Sequence, residues 1–262
     1  MEFLIQVLAG AGVGFAIGLT GVGAGSLMTP FLLSIGYPVP VAIGTDLLYA
    51  AITKAGGAVS HHRRGNVKWR VVGLLAAGSL PASILLHFIL FGTGIQDSEY
   101  FAALLTKSLG IMLVLTSMIL IFRNKLRLKA LDDEPGRFMT FLHAHREPLT
   151  VFMGALLGIC VTLSSVGAGA FGAAILLVIY SKTRTTKIIG TDIAHAVPLT
   201  FVAGLGYLAS GYVDLQLLLS LLLGSLPAIA VGSRLSNRVP ERILQLLLIL
   251  LLMGLGLNYV LK

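Results

Sequence analysis

Gly78-Ser79-Leu80-Pro81-Ala82 lies inside an apolar run, 71–91, and returns unchanged as Gly224-Ser225-Leu226-Pro227-Ala228 inside a second run, 215–232, at an offset of 146 residues. Gly44-Thr45-Asp46 returns at the same offset of 146 as Gly190-Thr191-Asp192. Val22-Gly23-Ala24-Gly25 returns as Val166-Gly167-Ala168-Gly169 at an offset of 144, so a two-residue length difference separates it from the other blocks. Three blocks in one order at nearly one offset divide the chain into related halves, 1–122 and 149–262, joined by a polar linker, 123–148.

The length of the apolar runs identifies the solvent. Runs 71–91, 101–122, 215–232 and 243–261 each hold roughly 18–22 residues with few charges, and about 20 residues carry a helix across the hydrocarbon. Stretches such as Leu217-Leu218-Leu219-Ser220-Leu221-Leu222-Leu223 lack the alternation of a membrane-barrel strand. With 56% hydrophobic and 11% charged residues, the chain has too little polar surface to clothe a soluble core. The net charge of +8 would raise nucleic acid as a partner in a soluble protein; here the basic residues fall between spans, and no nucleic-acid partner is expected. The single Cys160 leaves no intramolecular disulfide. Met1-Glu2-Phe3 lacks the basic start of a signal peptide, so the first apolar segment is expected to be retained.

Charge between the spans sets an orientation. Segments 61–70, 123–148, 181–187 and 234–242 together carry sixteen of the 19 Lys and Arg, whereas 96–99 and 211–214 are acidic or neutral. Basic loops stay in the cytoplasm, which places both termini outside and the linker inside. Spans 41–60, 71–91 and 101–122 then run in directions opposite to 188–209, 215–232 and 243–261. The expected fold is an all-α polytopic membrane protein of two inverted-topology repeats, each a broken-helix hairpin plus three transmembrane helices. Secondary transporters recurrently use this plan, with the substrate site at the midplane.

The hairpins are segments 3–36 and 149–180, interrupted by glycine-rich stretches at 18–25 and 158–169. Irregular backbone at membrane depth is tolerated only where protein or water buries it, and a helix starting at such a break aims free N–H groups at the gap, which attracts anions. Gly21, Gly23, Ala24, Gly25 and Ser26 in one half, and Ser164, Ser165, Gly167, Ala168 and Gly169 in the other, are therefore candidate substrate-binding residues, with Thr45 and Thr191 as hydroxyl donors. Close packing of small residues between helices is the other reading. Asp46 and Asp192 lie in apolar spans, where a carboxylate costs roughly 2.5–3.5 kcal/mol on insertion scales; they couple transport to a proton or cation, fix the ends of the broken helices by hydrogen bonds, or cap their own helices near the span start. His195 shares a helix face with Asp192, as a proton shuttle or an interior histidine. Lys54 is either a cation in the anion path or one that snorkels to the interface. His61-His62 and His143-Ala144-His145 have no neighbouring ligand cluster that would complete a metal site. No cofactor motif and no catalytic constellation is legible.

Gly21-Val22-Gly23-Ala24-Gly25 with Pro30, then Gly44-Thr45-Asp46, and the return of the glycine run and of the Gly-Thr-Asp block in the second half, resemble the sulfite exporter TauE/SafE family over nearly the whole chain. The resemblance implies movement of sulfur oxyanions or organosulfonates across the plasma membrane. Ala24 stands where members often carry a third glycine, and Asp46 where they often carry serine. Composition and repeats alone point to a transporter, with an anion as the expected substrate; the leading reading is an alternating-access transporter of small anions in the bilayer, with protons or a coupling cation as expected partners. A membrane-embedded enzyme, which would need the cytoplasmic histidines, and a channel or scaffold subunit are the competing readings.

Overall fold

The computed structural model describes residues 2–20, 25–97, 99–129, 145–235 and 241–261. Among these the chain forms ten α-helices, one 3-10 turn at Ile95–Asp97, and no strand. The helices are α1 (Glu2–Thr20), α2 (Gly25–Ser34), α3 (Val39–Arg63), α4 (Trp69–Gly92) and α5 (Glu99–Lys129), then α6 (Arg146–Ser164), α7 (Ala170–Ile179), α8 (Thr185–Ala209), α9 (Leu215–Leu235) and α10 (Glu241–Leu261). Every expected span falls within one of these helices. Five helices are long and apolar enough to cross a membrane, which makes this a multi-pass membrane protein.

The two interrupted segments fold as helical pairs with unequal arms. α1 and α6 have 19 residues each, α2 and α7 only 10. At about 1.5 Å per residue the first arm reaches across most of the hydrocarbon and the second covers half of it. The expected linker is helical at both margins, with α5 continuing to Lys129 and α6 beginning at Arg146; residues 130–144, His143 included, lie outside the described residues.

The packing repeats with the sequence. α1 lies along α9 and α4 along α6, while α3 pairs with α8 and α5 with α10. Gly78 sits so close to α6 that a Cβ would collide with the Val151 carbonyl oxygen; Gly224 meets the Val7 carbonyl in the same way. Gly154 against Leu75 and Gly158 against Ser79 have counterparts in Gly10 against Leu221 and Gly14 against Ser225. Lipid offers a leucine the same apolar surroundings as a helix interface does, so such helices associate through small residues that let backbones meet.

Polarity runs from a polar interior to an apolar rim. Asp46, Lys54, Asp192 and His195, with Thr29, Thr45, Ser79, Ser164, Ser165 and Thr191, are buried. Leu85, Phe88, Leu219, Leu223, Leu246, Leu247 and Leu250 point outward. α3 and α8, which carry the charged residues, form the centre of this arrangement.

Candidate functional site

Each Gly-Thr-Asp block does three jobs in three consecutive residues. Gly44 allows the turn after α8 to rest on α3, where a Cβ would strike the Tyr212 carbonyl oxygen; Gly190 receives the turn after α3 in the same way, at Asn66. Thr45 Oγ1 accepts the Asp214 backbone N–H at 3.2 Å, and Thr191 Oγ1 accepts the Lys68 N–H at 3.0 Å. The aspartate of each block turns into the protein, 0% exposed at Asp46 and 2% at Asp192. Both lie well inside their helices, whose N-caps are Pro38 and Arg184, so neither caps its own helix.

The second break is built around Ser165. Its φ of 57° is left-handed, and its N–H bonds to the Val161 carbonyl at 2.8 Å, ending α6. Ser164 Oγ donates to the Cys160 carbonyl at 2.7 Å and accepts the Val166 N–H at 3.1 Å, so that hydroxyl holds the turn. Gly167 and Gly169 have φ of 122° and 147°, conformations that side chains rarely adopt. α7 then starts with no side-chain cap. The first N–H groups with backbone acceptors are those of Gly172, to the Gly167 carbonyl, and Ala173, to the Gly169 carbonyl. The N–H groups of residues 167–171 find no acceptor among the described residues. This is the donor array that attracts anions at a helix start.

Charged and polar side chains converge on that break from α2, α3, α4 and α8. Lys54 Nζ donates to the Ala168 carbonyl at 2.7 Å. The lysine thus turns inward, which excludes snorkelling to the interface. It lies within electrostatic reach of Asp46, Asp192 and His195. Thr29 Oγ1 donates to Asp46 Oδ2, and the Ser165 hydroxyl lies beside the same carboxylate. Asp192 packs its Oδ1 against Gly172. His195 Nε2 pairs with Ser79 Oγ at 2.8 Å rather than with Asp192. Asp46 Oδ1, Ser165 Oγ, Asp192 Oδ1 and His195 Nδ1 are all buried without a hydrogen-bond partner. A buried unpaired polar group costs about 1–3 kcal/mol, and four of them gather around this one break.

The halves differ at this centre. At the offset of 146 residues, Lys54 corresponds to Thr200 and His195 to Tyr49. At the offset of 144 residues, Thr29 corresponds to Ala173. Among the described residues the site therefore has two carboxylates and one cation, and a hydroxyl donor is seen only at Asp46. Sequence reasoning had singled out Asp46, Asp192, Lys54, Ser165 and residues 167–169, all of which meet here. It missed Thr29, Ser79 and the loop-anchoring use of Thr45 and Thr191; the Gly-Thr-Asp repeat carried a signal for the last pair, whereas nothing local marks Thr29. Gly21, Gly23 and Ala24 lie outside the described residues, and Gly25 and Ser26 begin α2. Among the described residues no group of three metal-ligating side chains gathers.

Comparison with known proteins agrees with this architecture. The chain is 36% identical over 256 residues to the "Probable membrane transporter protein YjnA" of Bacillus subtilis (strain 168), covering 97% of this chain and 98% of that one. It is 27% identical to the "Probable membrane transporter protein YdhB" of the same organism, over 89% of this chain and 90% of that one. A "Probable membrane transporter protein" of Haemophilus influenzae shares 29% identity over 64% of this chain and 60% of its own. No solved structure matches. The family description "Sulfite exporter TauE/SafE" fits residues 6–259, and with that match across nearly its whole length, this membrane transporter belongs to the sulfite exporter TauE/SafE family.

Proposed function

We propose that the protein is a secondary transporter of small anions, of the sulfur oxyanion or organosulfonate class, and not an enzyme. The observation that carries this reading is the second break itself: backbone N–H groups of residues 167–171 with no acceptor among the described residues, the buried Ser165 hydroxyl and the buried Lys54 ammonium lie around one turn. Backbone donors and one ammonium suit an oxyanion, with the N–H groups meeting separate oxygens. Sulfite is the substrate named for the family. Asp46 and Asp192 sit where their charge opposes an anion and attracts Lys54, so protonation of one carboxylate favours substrate entry, and its release favours exit. That is proton coupling. Thr29 holds Asp46 while Asp192 has no such donor, so Asp192 is the carboxylate that takes the proton.

The repeated contacts support an inverted pair of repeats, 1–122 and 149–262, that rock against each other about the α3–α8 contact, with 123–148 between them. Basic segments on one face and the acidic turns on the other support a plasma-membrane orientation with the linker cytoplasmic and the termini outside.

The test is flux in proteoliposomes loaded with sulfite, thiosulfate, sulfoacetate, sulfate or chloride, with and without a proton gradient. Saturable movement of one sulfur anion is expected, abolished in Lys54→Met and reduced on the order of tenfold or more in Ser165→Ala. Asp192→Asn is expected to move substrate without responding to the gradient. Unsaturable flux would assign a channel instead, and absent flux of every anion in folded protein would remove the reading.

A further inference from the structure

Away from the central site, the turn between α3 and α4 meets the ends of α7 and α8 around a small cleft open to solvent. Lys68 and Lys187 line it, with Tyr180, Thr183 and Thr191. Lys68 is pinned from three directions. Its N–H bonds to Thr191 Oγ1 at 3.0 Å, its Nζ donates to Thr183 Oγ1 at 2.8 Å, and the ammonium stands 5.8 Å from the centre of the Tyr180 ring. Thr191 is held in turn by its own bond to the Lys187 carbonyl, 2.6 Å.

Among the described residues, three of the cations here have no carboxylate partner. Arg70 and Glu147 make the one ion pair among the described residues, at 2.7 Å, and it leaves Lys68, Lys187 and Arg146 without a carboxylate. Burial lowers the Lys68 ammonium below the usual lysine range, and the charges of Lys187 and Arg146 lower it further. Ordered like charges around a cleft are unfavourable when it is empty and favourable when an anion fills it. The opposite face gives an internal control. At the offset of 146 residues, Lys68 corresponds to Asp214; Asp214 makes the same backbone bond to Thr45, but its Oδ1 accepts the Leu217 N–H at 2.9 Å and caps α9. The shared frame thus carries a cationic cleft at one mouth and an acidic cap at the other.

We infer that the cleft formed by Lys68, Lys187, Thr183 and Tyr180 is a second anion site, a loading station for a tetrahedral or pyramidal oxyanion at the basic mouth. Its role as a station for the transported ion rests on the transport reading above; its binding of oxyanions does not. Lys68 and Lys187 supply charge, the Thr183 hydroxyl a donor, and the anchored Thr191 the link to the Gly-Thr-Asp block that leads to Asp192.

Trp69 is the chain's single tryptophan and follows Lys68 directly; its indole N–H donates to His62 Nδ1 at 3.2 Å beside the cleft, so its fluorescence is a neighbouring reporter and calorimetry is the direct readout. Purified full-length protein in neutral-lipid nanodiscs is titrated with sulfate and sulfite, against chloride at equal ionic strength, with calorimetry in parallel. A saturable Trp69 response to the oxyanions is expected. It should weaken on the order of tenfold in Lys68→Met and in Lys187→Met, and persist in Lys54→Met and in Lys182→Met, an exposed lysine of the same face. Flux started from the basic face should show a raised KM with the maximal rate kept in Lys187→Met. Loss of the response in Lys54→Met with retention in Lys68→Met, equal effects of Lys182→Met, or no discrimination against chloride would each overturn the proposal. Absent flux with an intact, lysine-dependent Trp69 response would sink the transport reading and leave the site standing.

Discussion

Single residues decide how closely the helices of this bundle approach. Gly78 and Gly224 have a neighbouring carbonyl where a Cβ would go, whereas Gly73 in the same helix as Gly78 faces open space. Gly78→Ala and Gly224→Ala are expected to destabilise the protein by about 1–3 kcal/mol each, and Gly73→Ala to leave it unchanged or better, read as shifts in thermal unfolding in detergent. An unaltered midpoint in Gly78→Ala would mean that α4 and α6 can slide apart at no cost. Thr29→Val tests the asymmetry of the centre. It leaves Asp46 Oδ2 without its donor, worth about 1–3 kcal/mol at a buried carboxylate, and should bring Asp46 toward the unassisted state of Asp192; transport of Thr29→Val would then depend on the proton gradient more steeply than wild type. Much at this scale was legible. Two aspartates at matching places in apolar runs have few explanations, and the sequence displayed both. What it hid were contacts between distant residues. Thr29 meets Asp46 across 17 residues, and Ser79 meets His195 across 116, and no local pattern ties a buried hydroxyl to a particular partner.

The helical elements were read correctly in number and place, and less fully in length. Glycine runs signalled the breaks because glycine disfavours a helix interior by about 1 kcal/mol relative to alanine. They could not say which arm is short, since apolar residues continue on both sides. The stops of the short arms lie in chemistry that reads weakly in isolation: Gly36 with φ 93° before the Pro38 N-cap of α3, and the Tyr180 turn that closes on Leu176. The break at residues 165–169 is the element on which the site depends. Gly169→Ala would force a side chain into φ 147°, a strain of about 1–3 kcal/mol. The expected outcome is normal helical content by circular dichroism with loss of anion flux. Retained flux in Gly169→Ala would mean that the turn's shape is not what binds.

For the molecule as a whole, two equivalent contacts lie at opposite ends of the α3–α8 pair: Thr45 with the turn bearing Asp214, and Thr191 with the turn bearing Lys68. Both are engaged at once here. If the halves rock, they must open in alternation. A Ser165→Cys reporter in a Cys160→Ala background should become reactive to an impermeant thiol reagent from the Asp214 side when Thr45→Val weakens that contact, and from the Lys68 side in Thr191→Val. Labelling that ignores both substitutions would argue against these turns as closures.

α3 is 25 residues long, yet it is not among the helices apolar enough to cross a membrane by themselves. Its Asp46 and Lys54 are sheltered by the second half: by α8, whose matching residues are synthesised 146 residues later, and by the Ala168 carbonyl. At roughly 5–20 residues per second, that delay is on the order of 10–30 s. During it Lys54 lacks the Ala168 carbonyl, and Asp46 has Thr29 of its own half but not Ser165 of the second. Biogenesis is therefore expected to include a waiting stage, in which α3 stays at the insertion machinery, or at the bilayer surface, until its partner emerges. A nascent chain stopped after α5 should expose position 46 to an aqueous thiol reagent, and the finished chain should shield it.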